Sequence, residues 1–504
     1  MPEASRTAVG EVWTQAWPTV LTMASYTVMQ FVDSVIVARI GPIEVAAQGN
    51  GGVWSFVPVA FVFGLLTVVN TFAAQNLGAN RLERVAAYGW AGLWIAVLAW
   101  VCLLLPFALV LPAAFAWIGH APDLVAMESA YGQVLLVGGL PLLIAKALSH
   151  LFFGLHRPKV VTVAALAANV VNVVATTVLV FGLAGAPRLG LVGAAYGTVI
   201  GTLVEAAIPL AIFLGPRMRR ELGTGSAWRC GLGPIRDVLR VGTPAAAQFG
   251  NELLCWTIFL SVLVGRFGEI HLAAGWATMR YVHLSFMPAV GFSVATTALV
   301  GRFIGAGDAD GAARRARTAV GMALCWMTAC GVVFLLGRDS LIRIFASGGD
   351  TPPEVVEQIV SIGGTLLVCA AFFQTLDAIG IVYIGALRGA GDTLVPGIAT
   401  VVFSWLFIVF GGWLAIELLP QLTSLGPWLA ATAYIAALGI AMAWRFESGA
   451  WRGRRLVDSV EPDETAQAAM VAPLVGGPPA GDAAGTVEDL AEELPRATDR
   501  LPDG

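Results

Sequence analysis

Charge is what this chain has least of. Asp, Glu, Lys and Arg make up 12% of its 504 residues, against 57% hydrophobic. Soluble domains carry about 25% charged residues, so a soluble globular chain is excluded. No cleavable signal is evident. The first apolar stretch follows Arg6, is full span length and has no A-x-A site, so it reads as a retained helix. The apolar runs are continuous rather than alternating, which argues against a transmembrane β-barrel. Six cysteines (Cys102, Cys230, Cys255, Cys325, Cys330 and Cys369) show no paired metal spacing. Most sit in apolar runs, where cysteine is a small buried hydrophobe. The GAGD runs lack the Gly-Lys-Ser/Thr end of a P-loop, which argues against an ATP-driven pump. The reading calls for no cofactor and no nucleic-acid partner.

What is there is a series of long apolar runs. A span needs about 20 such residues, and twelve are legible: 16–40, 51–76, 88–115, 130–154, 159–183, 190–215, 241–265, 272–300, 316–337, 357–386, 394–418 and 426–445. The fold class is therefore an all-α polytopic membrane protein. With the N-terminus inside, the inside segments hold 20 Lys and Arg and the outside segments five: Arg39, Arg188, Arg266, Arg338 and Arg343. That asymmetry places both termini in the cytoplasm. The net charge of −4 is misleading. Residues 456–504 hold 11 acidic residues and two arginines, leaving a body of 27 basic and 22 acidic residues. This Ala/Gly/Pro-rich acidic end has no periodicity and is expected to be disordered.

The chain repeats itself. FAAQNLGAN with Gly78 and ALVGRFIGAGD with Gly305 are 227 positions apart, as are Gly41 and Gly268. Pro18 and Pro244 are 226 apart, and Gly154 and Gly385 are 231 apart. Each copy holds six spans, an even number, so both have the same orientation. Two six-helix bundles related by a pseudo-two-fold along the membrane normal follow. The expected units are an N-terminal bundle (1–215), a basic cytoplasmic linker (216–240), a C-terminal bundle (241–446) and an acidic tail (447–504).

Ionisable residues within spans are few: Asp33, Lys146, Glu205, Glu252, Arg280 and Asp377, with His150 and His283. Each is costly in a bilayer, which marks it as a candidate for function. Thr22, Tyr26, Gln30 and Asp33 share one helical face, and Pro18 is expected to bend or end the first turn of that helix. An amide precedes three of the acids on the same face: Gln30 before Asp33, Gln248 before Glu252, and Gln374 before Asp377. Asn251 adjoins Glu252. An amide beside a carboxylate can supply oxygen ligands to a hard cation or hold a proton. Lys146 and Arg280 are candidate counter-ions for these acids, Lys146 across the cavity from Asp377. Lys146 could equally snorkel to its helix end. Glu205 is left as a structural acid or one paired with a local base. The six charges sum to −2, a cation-attracting interior.

The stretches FVDSVIVARIG, AAQNLGAN and VGRFIGAGD, GTPAAAQFGNE, and QTLDAIGIVYIGALRGAGDT resemble the multidrug and toxic compound extrusion family, most closely its NorM-type branch, over roughly residues 10 to 445. The resemblance implies that Asp33, fifteen residues after Pro18, is the acid used for ion or proton coupling. It implies that Glu252 and Asp377 are the cation-site acids, where Na⁺ would bind. Asn172 matches a polar position of the fifth helix. Thr176 stands where the family usually has Asn or Asp, which weakens a proton network in that half. Lys146 and Arg280 depart from the neutral polar residues expected there.

Together these readings point to a multi-pass plasma-membrane antiporter rather than an enzyme. It would act as a monomer and export amphipathic, often cationic, compounds in exchange for Na⁺ or H⁺. A lipid-linked glycan flippase of the same superfamily is the alternative, for which Lys146 and Arg280 would line a basic cavity. A membrane enzyme would need a catalytic cluster at one interface, and the short arginine-rich loops carry none.

Overall fold

In lipid every backbone N–H and C=O must be satisfied within the protein, so an apolar chain of this length folds as helices. A computed structural model describes residues 7–346, 352–454 and 456–457. Among them there is no strand. The spans are α1 (Ala8–Ala38), α2 (Ile43–Gly78), α3 (Leu82–Ile118), α4 (Pro122–Val137 and Leu140–Gly154, bent by 48°), α5 (Pro158–Phe181) and α6 (Gly190–Leu214). The second half gives α7 (Leu232–Phe267), α8 (Glu269–Gly305), α9 (Ala309–Ala346), α10 (Pro353–Gly389), α11 (Leu394–Leu418) and α12 (Leu425–Glu447).

Local signals set the helix ends. Proline opens α4, α5 and α10, where its missing N–H costs nothing. Gly119 and Gly182, at φ 94° and 70°, end α3 and α5 in the left-handed region. The twelve spans fall where hydropathy places them, but several begin earlier. Helix α1 starts at Ala8, capped by the Thr7 hydroxyl. Its polar first turns protrude past the apolar run, and Glu11 pairs with Arg315 at 2.8 Å. Pro18 therefore lies well inside an unbroken helix and does not end its first turn. Its carbonyl accepts from Thr22 and from Thr162 of α5.

The region between the halves is likewise shorter than the expected 216–240. Residues 232–240 form the amphipathic start of α7, with Val238 buried and Asp237 accepting from Tyr88 of α3. A short helix, Pro216–Leu222, precedes it. After α12 the chain also stays packed, contrary to a tail that begins at 447. Trp451 is buried and stacks on Phe446 at 4.8 Å, and the Leu456 backbone N–H donates to Gln75 of α2. The acidic stretch from 458 onward lies outside the described residues.

The repeat is written into how the halves meet. A Cβ on Gly64 of α2 would collide with Ala245 and Ala246 of α7, and one on Gly291 of α8 would collide with Val20 of α1. Gly64 and Gly291 are 227 positions apart, and Val20 and Ala246 are 226 apart. The next pair does the same. Gly78 sits on the Arg302 carbonyl and Gly305 on the Gln75 carbonyl, and these partners are again 227 apart. Each glycine thus rests against the repeat equivalent of the residue that its counterpart rests against, as a two-fold axis through the seam requires. Only residues without a side chain allow backbones this close.

The seam is one-sided. Asn70 donates to the Val294 carbonyl, Thr71 to that of Arg388 and Gln75 to that of Gly389. All lie towards the membrane face on which α1 begins and α12 ends. Residues Val68 to Gly78 of α2 are buried without exception. Among the described residues no hydrogen bond or ion pair joins the halves on the opposite side.

Candidate functional site

Acids face inward in both bundles, but their surroundings differ. Asp33 of α1 is 8% exposed and lies beside Asn172 and Thr176 of α5. Asp33 Oδ1, Asn172 Oδ1 and Thr176 Oγ1 are all buried without a hydrogen-bond partner. Buried oxygens normally find a donor. Three that do not, around one carboxyl, form an arrangement that a proton on Asp33 or a small cation would complete. Packing holds the cluster in place: Gly197 of α6 rests against Thr176, and Gly201 against Asn172.

Glu205 of α6 forms a second group in the same bundle. Its Oε1 accepts from Tyr26 at 2.5 Å and from Lys146 Nζ at 2.9 Å, and Lys146 also donates to the Tyr26 hydroxyl at 2.8 Å. Both charged side chains are largely buried, at 15% exposed for Lys146 and 6% for Glu205. Lys146 is thus the counter-ion of Glu205 and not of Asp377, Asp33 or Glu252. Tyr26 likewise serves Glu205 rather than Asp33. It lies seven residues before Asp33, two turns along the same face, which is too far to share a ligand.

In the C-terminal bundle Glu252 of α7 and Asp377 of α10 are electrostatic neighbours. The Tyr434 hydroxyl of α12 lies 3.5 Å from Glu252 Oε1, the outer limit of a hydrogen bond. Neither acid makes an ion pair among the described residues. The nearest cation to Glu252 is Arg388, 7% exposed, whose guanidinium lies over the Phe249 ring at 5.5 Å. Arg280 is exposed and lies over Phe345 at 5.7 Å, so it is not a counter-ion of the buried acids.

The expected amide–acid pairs do not form. Gln30 is exposed. Gln374 donates to Ser285 at 2.7 Å instead of to Asp377. Asn251 is engaged by Ser404 and Trp405, because adjacent helical residues point about 100° apart. Gln248 is buried and makes no side-chain hydrogen bond to Glu252. Sharing a face places two side chains near one another without making them partners. Three participants were missed in the sequence. Tyr434 lies in an Ala-rich run with no charged neighbour to mark it. Arg388 reads as a loop arginine from its place beside GAGD. Phe63, whose ring centroid lies 5.8 Å from the Lys146 ammonium, looks like any other span residue. His150 is half-buried with Nδ1 unpartnered, and His283 is exposed.

Comparison with known proteins agrees with this architecture. The MatE family model matches residues 18–178 and 249–414. The multidrug resistance protein NorM of Burkholderia vietnamiensis is 30% identical over 450 residues, covering 88% of this chain and 95% of that protein. A probable multidrug resistance protein NorM of Deinococcus radiodurans is 31% identical over 438 residues, covering 86% and 93%. Among solved structures, a MATE in complex with MaL6 superposes with a TM-score of 0.81 at 19% identity, covering 89% of this chain and 98% of that one. A MATE family transporter described in an outward-facing conformation gives 0.80, also at 19% identity, covering 89% and 97%. At that identity the likeness concerns the fold alone.

Proposed function

The chain belongs to the MatE family, and from that premise we propose that it is a secondary antiporter exporting amphipathic cations in exchange for Na⁺ or H⁺. The observation that carries this reading is the one-sided seam below unpaired acids. Among the described residues the hydrogen bonds and ion pairs that join the bundles lie towards the face that holds the termini, and Asp33, Glu252 and Asp377 sit within spans without an ion pair. With both termini in the cytoplasm, as the basic residues indicate, these bonds tie the bundles together on the inner side. Rocking the bundles about the seam would move the acids from one side to the other. An incoming proton or Na⁺ neutralises the acids and releases a cation bound in the same space. The reciprocal exchange drives export. We place the protein in the plasma membrane, acting as a monomer.

The flippase reading needs a basic cavity for an anionic headgroup. Lys146 is neutralised by Glu205, so of the two residues that motivated it only Arg280, which lies over Phe345, is without an ion pair among the described residues. The test is efflux of a fluorescent cation from vesicles, with Na⁺ and pH gradients imposed separately. Gradient-dependent efflux under at least one of them is expected. Efflux that ignores both gradients would overturn the antiporter.

A further inference from the structure

Lys146 does more than balance Glu205. Its ammonium sits in a box drawn from three helices: the Glu205 carboxylate from α6 at 2.9 Å, the Tyr26 hydroxyl from α1 at 2.8 Å, the Tyr26 ring with its centroid at 4.0 Å, and the Phe63 ring of α2 at 5.8 Å. A carboxylate with two aromatic faces is the chemistry that recognises an organic ammonium. Both donors converge on Oε1, and Glu205 Oε2 makes no hydrogen bond among the described residues. The box therefore has unused acceptor capacity. Phe63 adjoins Gly64, which packs on α7 at the seam, so the box borders the surface along which the bundles part.

We propose that this box is an ammonium subsite of the transport cavity, and that Lys146 is its tethered occupant, displaced when the cationic group of a substrate enters. This rests on the cation-export reading given above. The physical case has two parts. First, a buried ion pair is a poor device for stability alone, because desolvation offsets most of its attraction. Second, lysine is a compact charge on a flexible four-carbon stem, able to swing out of the box, as a planar arginine fork held by two bonds is not. In the resting protein the tethered ammonium keeps Glu205 from standing as a bare buried charge. A substrate ammonium takes its place at equal charge, so exchange requires no change in the total charge of the box.

The experiment is calorimetric binding of benzyltrimethylammonium to the full-length protein in lipid nanodiscs. Its uncharged carbon isostere, neopentylbenzene, is the control. Lys146→Met removes the competitor and should tighten benzyltrimethylammonium binding about fivefold or more. Glu205→Gln removes the attraction and should weaken it about tenfold, the scale of losing one close charge partner. The double variant should bind as weakly as Glu205→Gln alone, and neopentylbenzene should respond to none of the three. If both single variants shift affinity in the same direction, or the isostere follows the cation, the pair is structural and the proposal fails.

Should a variant not fold, the wild-type protein still decides. Saturating benzyltrimethylammonium should raise the amidination of Lys146 by methyl acetimidate, read by mass spectrometry. Unchanged or lowered labelling overturns displacement. Vesicle efflux by the wild type keeps the two readings apart. Absent gradient-driven efflux sinks the antiporter, whereas efflux with unchanged labelling sinks the subsite alone.

Discussion

The two bundles are copies in backbone and opposites in charge. Lys146 lies eight residues before Gly154, and Asp377 lies eight before Gly385. The repeat thus places a cation in one copy and an acid in the other at the same point. In the N-terminal bundle the cation neutralises Glu205 and leaves Asp33 with Asn172 and Thr176. In the C-terminal bundle neither Glu252 nor Asp377 makes an ion pair among the described residues, and the cation that acts on Glu252 is the buried Arg388. Of the acids the sequence singled out, the N-terminal bundle leaves one without an ion pair and the C-terminal bundle leaves two, among the described residues. Duplication fixed the seam, where glycine pairs obey the two-fold, and left the interior polar groups free to diverge.

The sharpest way to break this comparison is to neutralise the free acids one at a time. Asp33→Asn keeps size and removes the charge, and gradient-driven efflux should fall to background with the protein still folded. Glu252→Gln and Asp377→Asn should reduce Na⁺ dependence more than Asp33→Asn does, since that bundle holds two acids that act on one another electrostatically. Lys146→Gln should not rescue Asp377→Asn, because Lys146 is held by Glu205. The measurement is efflux at matched membrane level with Na⁺ and pH varied independently. Wild-type efflux by all three single variants would make these acids structural.

Next in size is the packing at the terminal face, where each bundle holds a peripheral segment with one acid between two arginines. Asp392, after α10, is fully buried and receives Arg445 and Arg454, each at 2.8 Å. It binds α12 and the segment carrying Trp451 to the body. Breaking a buried pair by removing one partner costs about 3–5 kcal/mol. Asp392→Asn should therefore lower the melting temperature in detergent markedly, and truncation before Trp451 should do the same. Truncation after Val457 should leave the melt unchanged. An unchanged melt for Asp392→Asn would show that the segment contributes nothing to the fold.

A smaller effect tests the symmetry itself. Gly78 and Gly305 face equivalent carbonyls across the seam, so Gly78→Ala and Gly305→Ala should have matching consequences. Overpacking of this kind costs about 1–3 kcal/mol, and here the strain exists only while the terminal side is closed. Both variants should raise the reactivity of a cysteine placed at Ala74 to a reagent added on that side. A response from one variant alone would show that the two-fold is only approximate at the seam.

The sequence made the architecture legible because lipid leaves the backbone few options. The number of spans and the repeat follow from long-range composition and spacing, whereas the packing of Gly64, Gly78, Gly291 and Gly305 against the facing bundle does not. The polar partnerships were less legible. Helical spacing puts Gln374 near Asp377 and Tyr26 near Asp33 along one helix, but the actual partners, Ser285 and Glu205, come from other helices. The amphipathic extensions of α1 and α7 escaped notice because hydropathy registers lipid contact, not helicity. Arg388 escaped because its neighbours in sequence look like a loop, while in space it is buried against Phe249.

The least effect is expected at the counterpart of Asp392. Glu221, in the short helix Pro216–Leu222, accepts from Arg157 at 2.7 Å and from Arg217 at 2.9 Å, but its side chain is 34% exposed. Burial alone would push its carboxyl up, but the bonds from Arg217 and Arg157 outweigh that and hold it below the ordinary value of 4.5. A carboxyl lowered in the folded state contributes stability above its unfolded value and loses it as pH falls through the folded one. Solvent screening limits such a pair to about 0.2–1 kcal/mol. At pH 7 Glu221→Gln should therefore melt slightly below wild type, and the gap should close as pH drops below 4.5. High salt should shrink it too, whereas the Asp392→Asn gap should persist in salt because Asp392 is buried. A Glu221 gap as large and as salt-resistant as that of Asp392 would mean that the connection between the bundles is anchored as firmly as the segment after α12, and the contrast drawn between the two anchors would be wrong.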